Sequence, residues 1–405
     1  MPVGLIQHEI IHNIAGVRLA TAAAGIRYQN RDDCVLIEIA EHSSVAAVFT
    51  KNAFRAAPVD LAASNISICS PRYLIINAGN ANAGVGDAGM VAALQTTQAI
   101  ADATLVEAQQ VCPFSTGVIG ERLDTDKIIQ KIPELLLQLD DNGWRQAAAA
   151  IMTTDTQEKI YSKNLQLQGK SVSITGMAKG SGMIQPNMAT MLSYIATDCA
   201  IAPEQLNTLL VDAVATSFNA ITVDSDTSTN DACVLIATGQ SQVELAQLSC
   251  SECDEFMQAL NEIMCLLAQS IVRDGEGASK FVTVQIQGAD NPQQAKAIAF
   301  SIANSPLVKT ACAASDANWG RIMMAAGKVD DDSLDLSAAS LKINNVEILQ
   351  AAQLLDSYTD ALGMQAMADD EITIQLDLHR GSCAHTVWTT DLTDEYIRIN
   401  AEYRS

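Results

Sequence analysis

Thr190 follows Ala189 in a segment, Gly176 to Leu192, in which small residues bracket a single lysine, Lys179. A threonine inside a chain has no special nucleophilicity, because its hydroxyl needs a nearby base. If the bond between Ala189 and Thr190 were cut, the new α-amino group, with a reference pKa of about 8, could serve as that base. The cut would use the same hydroxyl. The threonine oxygen attacks the Ala189 carbonyl, the acyl group moves from nitrogen to oxygen, and water hydrolyses the ester. Lys179 would add a fixed cation where glycines let a ligand approach the backbone closely. Local chemistry alone leaves an ordinary buried threonine as the competing reading.

Other segments carry weaker chemistry. Gly176 to Gly182 lacks the GxxxxGK[ST] spacing of a phosphate loop, and Gly79 to Gly86 lacks the GxGxxG order. Thr153-Thr154-Asp155-Thr156 suits an anion-binding turn, or simply the end of one helix and the cap of another. Asp224, Asp226 and Asp231 resemble a calcium loop. That pattern fails after the second aspartate, and no glutamate stands at the twelfth position. Arg273-Asp-Gly-Glu-Gly277 is either a solvated turn or a ligand-facing carboxylate. Asn318-Trp-Gly-Arg321 is open between a structural and a binding role. Cys250 and Cys253 are the only close cysteine pair among ten, without a second CxxC or a nearby histidine to complete a zinc site.

Elements must hold these groups. Cys34–Ile39, Val45–Phe49 and Tyr73–Ile76 are apolar runs of strand length, and residues 1–100 read as strands and turns more than helices. The Asn77 to Gly84 stretch is too rich in Gly and Asn for a regular element. Helices are predicted over Met90–Gln109, Ile128–Leu139, Trp144–Met152, Leu206–Ser217, Glu255–Val272 and Gln293–Ala303. Leu165–Leu167 and Ser171–Ile174 flank Gly169 as a hairpin. Cys233–Ala237, Phe281–Ile286 and Ile372–Leu378 read as strands, and the tail from Tyr396 to Ser405 alternates like one. The mix predicts an α/β body with both faces of its sheets covered.

Composition narrows the function. The 405 residues are 48% apolar but only 4% aromatic, so the core must be built from Ala, Leu, Ile, Val and Met. The net charge of -23 disfavours nucleic acid, because no basic stripe opposes repulsion from phosphate. No apolar run is long enough to span a membrane, and the start lacks the basic region of a signal peptide. Scattered cysteines fit a reducing, cytoplasmic setting. Divided before Thr190, the chain carries 14 basic and 17 acidic residues, then 10 and 30. The acidity therefore sits almost wholly in the second part.

Read jointly, seven stretches resemble the ornithine acetyltransferase/glutamate N-acetyltransferase family of arginine biosynthesis, the ArgJ family. They are Gly176–Leu192, Ser115–Gly120, Met152–Thr156, Phe218–Asp224, Arg273–Gly277, Asn318–Arg321 and Asn400–Tyr403, in order along essentially the whole chain. The resemblance implies a layered αββα sandwich shared with the DmpA-type aminopeptidases. It also implies autocatalytic cleavage at Ala189-Thr190 into an α chain, 1–189, and a β chain, 190–405, that form one composite body. Thr190 would then be the nucleophile that takes acetyl from N-acetylornithine and passes it to glutamate in a ping-pong reaction. Thr116 and Gly117 would form the oxyanion hole. Lys179, Glu276, Asn400 and Ser405 would bind substrate, with Thr153 the favoured threonine contact and Thr154 the fallback.

No metal, nucleotide or redox cofactor is required on this reading. Acetyl-CoA enters only if this member also makes N-acetylglutamate directly. The implied assembly is two α and two β chains in the cytoplasm, with no nucleic-acid or membrane partner. The chain departs from the family pattern at Ser225, where Gly is usual. Other departures are Gly84 and Val85 for a Cys-Thr pair, and Ser279 and Ser405, each for Thr. An aminopeptidase or amidase of the same fold would differ in preferring water to glutamate. A non-enzymatic amino-acid binder would remain uncut.

Overall fold

The structure is a computed structural model that describes residues 2–4, 10–185 and 191–401. The expected cleavage pair, Ala189 and Thr190, and the terminal Ser405 lie outside the described residues. The chain divides into two compact units. The first comprises Gln7–Asn219 and Thr227–Ile271; the second comprises Met1–Ile6, Ala220–Asp226 and Val272–Ser405. This division by packing is distinct from the expected division by cleavage, whose position falls within the first unit.

Among its described residues the first unit has nine strands: β1 (Val17–Ala22), β2 (Cys34–Ile39), β3 (Ser44–Phe49), β4 (Tyr73–Asn80), β5 (Val111–Val118), β6 (Lys159–Leu167), β7 (Lys170–Lys179), β8 (Leu192–Thr197) and β9 (Ala232–Ala237). They form a four-stranded sheet, β1-β2-β4-β5, and a five-stranded sheet, β3-β9-β8-β7-β6. The β4/β5 and β8/β9 pairs are parallel, and the other pairs are antiparallel. Strands apolar on both faces, such as Cys34-Val-Leu-Ile37, must be covered twice. Val35, Ile37, Leu74 and Ile76 face inward and share one core with Met177, Leu192, Tyr194, Val234 and Ile236 of the other sheet. Leu36, Tyr73 and Ile75 face outward against Ile100 and Ala101 of the Asp87–Thr104 helix.

The five-stranded sheet is covered by the Cys250–Arg273 helix. Its Leu267 and Ile263 would stand 3.0 and 3.3 Å from a Cβ at Gly176, so glycine is what lets helix and strand approach. Ser249 and Glu252 start that helix with reciprocal bonds. The Ser249 N–H donates to Glu252 Oε2 at 3.1 Å, and the Glu252 N–H donates to Ser249 Oγ at 3.3 Å. Phe256, Leu260, Ile263, Leu267 and Ile271 then recur on one buried stripe. The order is helix, sheet, sheet, helix, the αββα layering expected from the resemblance.

Several sequence-based boundaries change. The Ile128–Leu139 prediction is two short helices, Thr125–Ile129 and Ile132–Leu137, and Ala57–Ile68 adds a helix within a stretch that reads more as strands and turns. Pro58 stands in its first turn, where the missing N–H costs nothing. The Asn77–Gly84 stretch is regular as far as Asn80, because side-chain bonds stand in for packing. Asn77 Nδ2 donates to the Asn80 carbonyl at 2.8 Å, and Ser115 Oγ to Asn77 Oδ1 at 2.6 Å. The β6–β7 hairpin turns at Gln168 and Gly169, both with positive φ (51° and 71°), the geometry a two-residue hairpin loop requires.

The second unit holds a six-stranded sheet. Its strands are β10 (Phe281–Ala289), β11 (Ser340–Ile343), β12 (Val346–Gln350), β13 (Gln353–Leu354), β14 (Glu371–Asp377) and β15 (Cys383–Thr390), ordered β13-β12-β11-β14-β10-β15. Ile372, Ile374 and Leu376 join a core with Ile298 and Ile302 of the Pro292–Ala303 helix. The described part of the tail, as far as Ala401, corrects an expectation. Asp394–Ala401 is an α-helix, not a strand. Asp394 and Glu395 sit in its first turn and Arg398 in its last, matching the helix dipole, and Arg398 pairs with Glu395 at 2.9 Å. Over so few residues the alternation Tyr-Ile-Arg-Ile fits either period.

Candidate active site

Lys179 ends β7, where it pairs in register with Leu192 at the start of β8. The connection between them carries Ala189 and Thr190. Lys179 is buried, and its Nζ donates to Thr153 Oγ1 at 2.7 Å and to Thr116 Oγ1 at 3.2 Å. An ammonium has donors only, so both threonine oxygens must accept. Each threonine O–H hydrogen is then directed away from the lysine, ready for an oxygen of a bound molecule. Three elements converge on this point: the end of β7, the end of β5 and the turn after the Trp144–Ala150 helix. Thr154, one residue along that turn, is exposed.

Gly117 follows Thr116 in β5, with φ +132°. A Cβ there would lie 2.2 Å from the Gly79 carbonyl carbon and 2.5 Å from the Asn80 nitrogen, so β4 and β5 can pair here only through glycine. Asn230 fixes the same strand end by donating to the Ala81 carbonyl at 2.6 Å and the Ser115 carbonyl at 2.9 Å. Thr116 and Gly117 are thereby held on a rigid edge beside the Lys179 ammonium.

Asp155 anchors the turn. Its Oδ1 accepts from Lys159 Nζ at 2.7 Å and from the Gly180 N–H at 2.6 Å; its Oδ2 accepts from the Thr153 N–H at 3.0 Å. Lys179 Nζ lies 3.9 Å from Oδ2. Burial alone would push this carboxyl up, but Lys159 and Lys179, with the bonds from Lys159 and Gly180, hold it well below the usual carboxylate range. It is therefore ionised. Asp231 contrasts with it. It is 2% exposed, its Oδ2 has no hydrogen-bond partner among the described residues, and burial pushes its carboxyl well above the usual range despite the Lys179 charge. The turn reading of Thr153–Thr156 thus contained its organising residue, Asp155, unselected. Lys159 was hidden at the start of an apolar strand. The available signal was a charged residue placed where strand burial leaves no access to water.

A second group lies in the other unit. Glu276 is buried, and Asn400 Nδ2 donates to its Oε2 at 2.8 Å. Tyr396 OH donates to Asp224 Oδ2 at 3.3 Å; burial first, then the Asp224 and Glu276 charges, push its hydroxyl upward. Gly277 has φ +69°, and a Cβ there would be 2.4 Å from the Tyr396 nitrogen. Ser279 and Lys280 N–H groups donate to Asp391 Oδ1 at 2.9 and 3.1 Å, tying down the turn that carries Glu276. Arg273, by contrast, serves structure: it pairs with Glu371 at 2.7 Å and stacks 3.8 Å over Phe281.

Asn318-Trp-Gly-Arg321 resolves to a helix start. Asn318 accepts from the Arg321 N–H at 3.2 Å, and Arg321 Nη1 donates to the Leu307 carbonyl at 2.9 Å. Asp224 and Asp226 belong to one unit and Asp231 to the other. Among the described residues, no three His, Cys, Asp or Glu side chains are grouped to hold a metal ion, and no helix is long and apolar enough to cross a membrane.

Comparison with known proteins places this geometry among relatives. The profile of the ArgJ family matches residues 18–405. A protein of Pseudomonas fluorescens (strain Pf0-1), called arginine biosynthesis bifunctional protein ArgJ, is 47% identical over 408 residues, covering 100% of both chains. Proteins of the same name from Pseudomonas syringae pv. tomato and Methylococcus capsulatus are 46% and 47% identical. The first covers 100% of both chains, and the second 97% of this chain and 96% of the relative.

Proposed function

This chain belongs to the ArgJ family, and from that membership and the site geometry we propose that it moves acetyl from N-acetylornithine to glutamate. Thr190, freed by autocatalytic cleavage after Ala189, is the nucleophile. Its α-amino group takes the hydroxyl proton as the oxygen attacks the acetyl carbonyl carbon. The proton then passes to the departing ornithine nitrogen as the C–N bond breaks, leaving an acetyl-threonine ester. The glutamate amine attacks that ester and gives its proton to the α-amino base, which returns it to Thr190 Oγ as the ester C–O bond breaks. The products are ornithine, N-acetylglutamate and a restored Thr190.

The negative charge that develops on the acetyl oxygen is met by the Thr116 hydroxyl and Gly117 N–H; losing one such donor typically costs about 2.7–4 kcal/mol. Lys179 and Thr153 bind the α-carboxylate common to donor and acceptor, with Thr154 the fallback for Thr153. Glu276, held by Asn400, receives the side-chain amine of ornithine, and Ser405 completes the substrate contacts. The observation that carries this reading is the Lys179 ammonium donating to both threonine hydroxyls, which leaves their hydrogens for a substrate oxygen.

The working enzyme consists of α chain 1–189 and β chain 190–405 as one composite body, assembled as α2β2 in the cytoplasm. It needs no metal, nucleotide or redox cofactor. The word bifunctional in its relatives' name supports acetyl-CoA as a second acetyl donor. Incubation with N-acetylornithine and glutamate, and separately with acetyl-CoA and glutamate, tests this directly. N-acetylglutamate should form in the first mixture, and in the second as well if both donors serve. Free acetate without N-acetylglutamate would make the protein a hydrolase instead.

A further inference from the structure

Asp155 and Lys159 have no part in the steps above, yet the side chains of both are fully buried beside the substrate-binding lysine. We propose that Asp155, anchored by Lys159, is a positioning residue that fixes where the Lys179 ammonium points and keeps the pocket selective for carboxylate-bearing substrates. This rests on the reading of Lys179 as the α-carboxylate contact.

One carboxylate holds both sides of the lysine–threonine contact. Oδ1 bonds Lys159 and the Gly180 N–H, and so fixes the residue directly after Lys179. Oδ2 bonds the Thr153 N–H, and so fixes the residue whose hydroxyl Lys179 holds. Both ends of the Lys179–Thr153 contact are therefore tied to the same side chain. At 3.9 Å, Lys179 is close enough to Asp155 to feel its charge. Its donors nevertheless go to the threonines at shorter distance, so Asp155 aims the ammonium without capturing it.

Charge gives the second half. Lys159 and Lys179 contribute two positive charges and Asp155 one negative, leaving a single net positive charge toward the threonines. Among the described groups facing this cluster are Asp231, which interacts with Lys179, Tyr28, which interacts with Asp155, and Arg31, which stacks on Tyr28 and donates to the Met152 carbonyl beside Thr153. Burial pushes the Asp231 carboxyl well above the usual range, which favours its neutral form and makes it a poor substitute for Asp155 as a counter-charge. Without Asp155, two buried ammonium groups would repel each other across the space it occupies.

Two variants separate positioning from mere charge balance: Asp155→Asn, and the charge-balanced pair Asp155→Asn with Lys159→Met. Each is purified, checked for cleavage by intact mass and for folding by thermal unfolding, then assayed for kcat and KM with both substrates across pH. The pair is expected to fold and cleave. KM for both N-acetylornithine and glutamate should rise tenfold or more, with a smaller fall in kcat. In Asp155→Asn alone, which leaves two ammonium groups without their counter-charge, the alkaline limb of kcat/KM should move to lower pH. Wild-type KM values in the pair would overturn the proposal, since Asp155 would then only neutralise Lys159. Failure of both variants to be cleaved would also overturn it, placing Asp155 in cleavage rather than in substrate positioning. A wild-type protein that transfers no acetyl group would instead remove the functional reading on which the proposal rests.

Discussion

Ser225 stands in a left-handed conformation, φ +66°, at an exposed position next to Asp224. An L-residue there crowds its Cβ against its own carbonyl, which costs roughly 1–2 kcal/mol, less for a short polar side chain that can bond locally. Its N–H donates to Thr222 Oγ1 at 3.3 Å, a bond that glycine keeps. Glycine in turn loses more chain entropy on folding, roughly 0.5–1 kcal/mol. Ser225→Gly should therefore stabilise the protein by about 0.5–1 kcal/mol, and Ser225→Val, branched at the crowded carbon, should destabilise it by about 1 kcal/mol or more. Denaturant unfolding of the three proteins, monitored for the second unit, reads the order Gly, Ser, Val. A Ser225→Gly protein less stable than wild type would refute the strain argument. The family's usual glycine at this position would then need another explanation.

Further outcomes follow from the same geometry. Gly117→Ala would place a Cβ 2.2 Å from the backbone of β4, and it should cost about 3 kcal/mol or more, read as lost soluble yield or a lowered unfolding midpoint. Thr116→Val removes one oxyanion donor while keeping shape; kcat should fall about 100- to 1000-fold with little change in KM for either substrate. Asp231 and Asp155 should give opposite pH slopes. Burial in the folded state pushes the Asp231 carboxyl upward, so its contribution is present at low pH and is lost as pH rises above the ordinary value of 3.8. Asp231→Asn should gain stability over wild type as pH rises through that range. Asp155 is depressed, so its contribution is present above 3.8 and lost as pH falls through its lowered value. Unfolding midpoints measured from acid to neutral pH check both signs.

Much of the scaffold was legible in the sequence because burial on both faces leaves a plain signature. Cys34-Val-Leu-Ile37 and Phe256 to Ile271 read directly as a covered strand and an amphipathic helix. Motif order identified Lys179, Thr116 and Thr153, and the structure brings those three together by hydrogen bonds. It also brings Glu276 to Asn400. Asp155 was harder to find, since its role depends on Lys159, Gly180 and Thr153 meeting through folding, which local spacing does not encode. Asn77 to Asn80 misled because side-chain hydrogen bonds, not apolar periodicity, carry that strand end. The tail misled because alternation over four residues, Tyr396 to Ile399, fits two periods. The division into two packing units, which takes Ala220–Asp226 out of a longer run, has no compositional mark.

On the proposed mechanism, Thr190 becomes an N-terminal nucleophile carrying acetyl between two amino acids. Intact-mass measurement of the purified protein, before and after N-acetylornithine without glutamate, tests it most directly. Two fragments divided between Ala189 and Thr190 are expected, with the second becoming one acetyl group heavier at Thr190 and losing it when glutamate is added. A single uncut chain, or a second fragment that never gains the acetyl group, would contradict it.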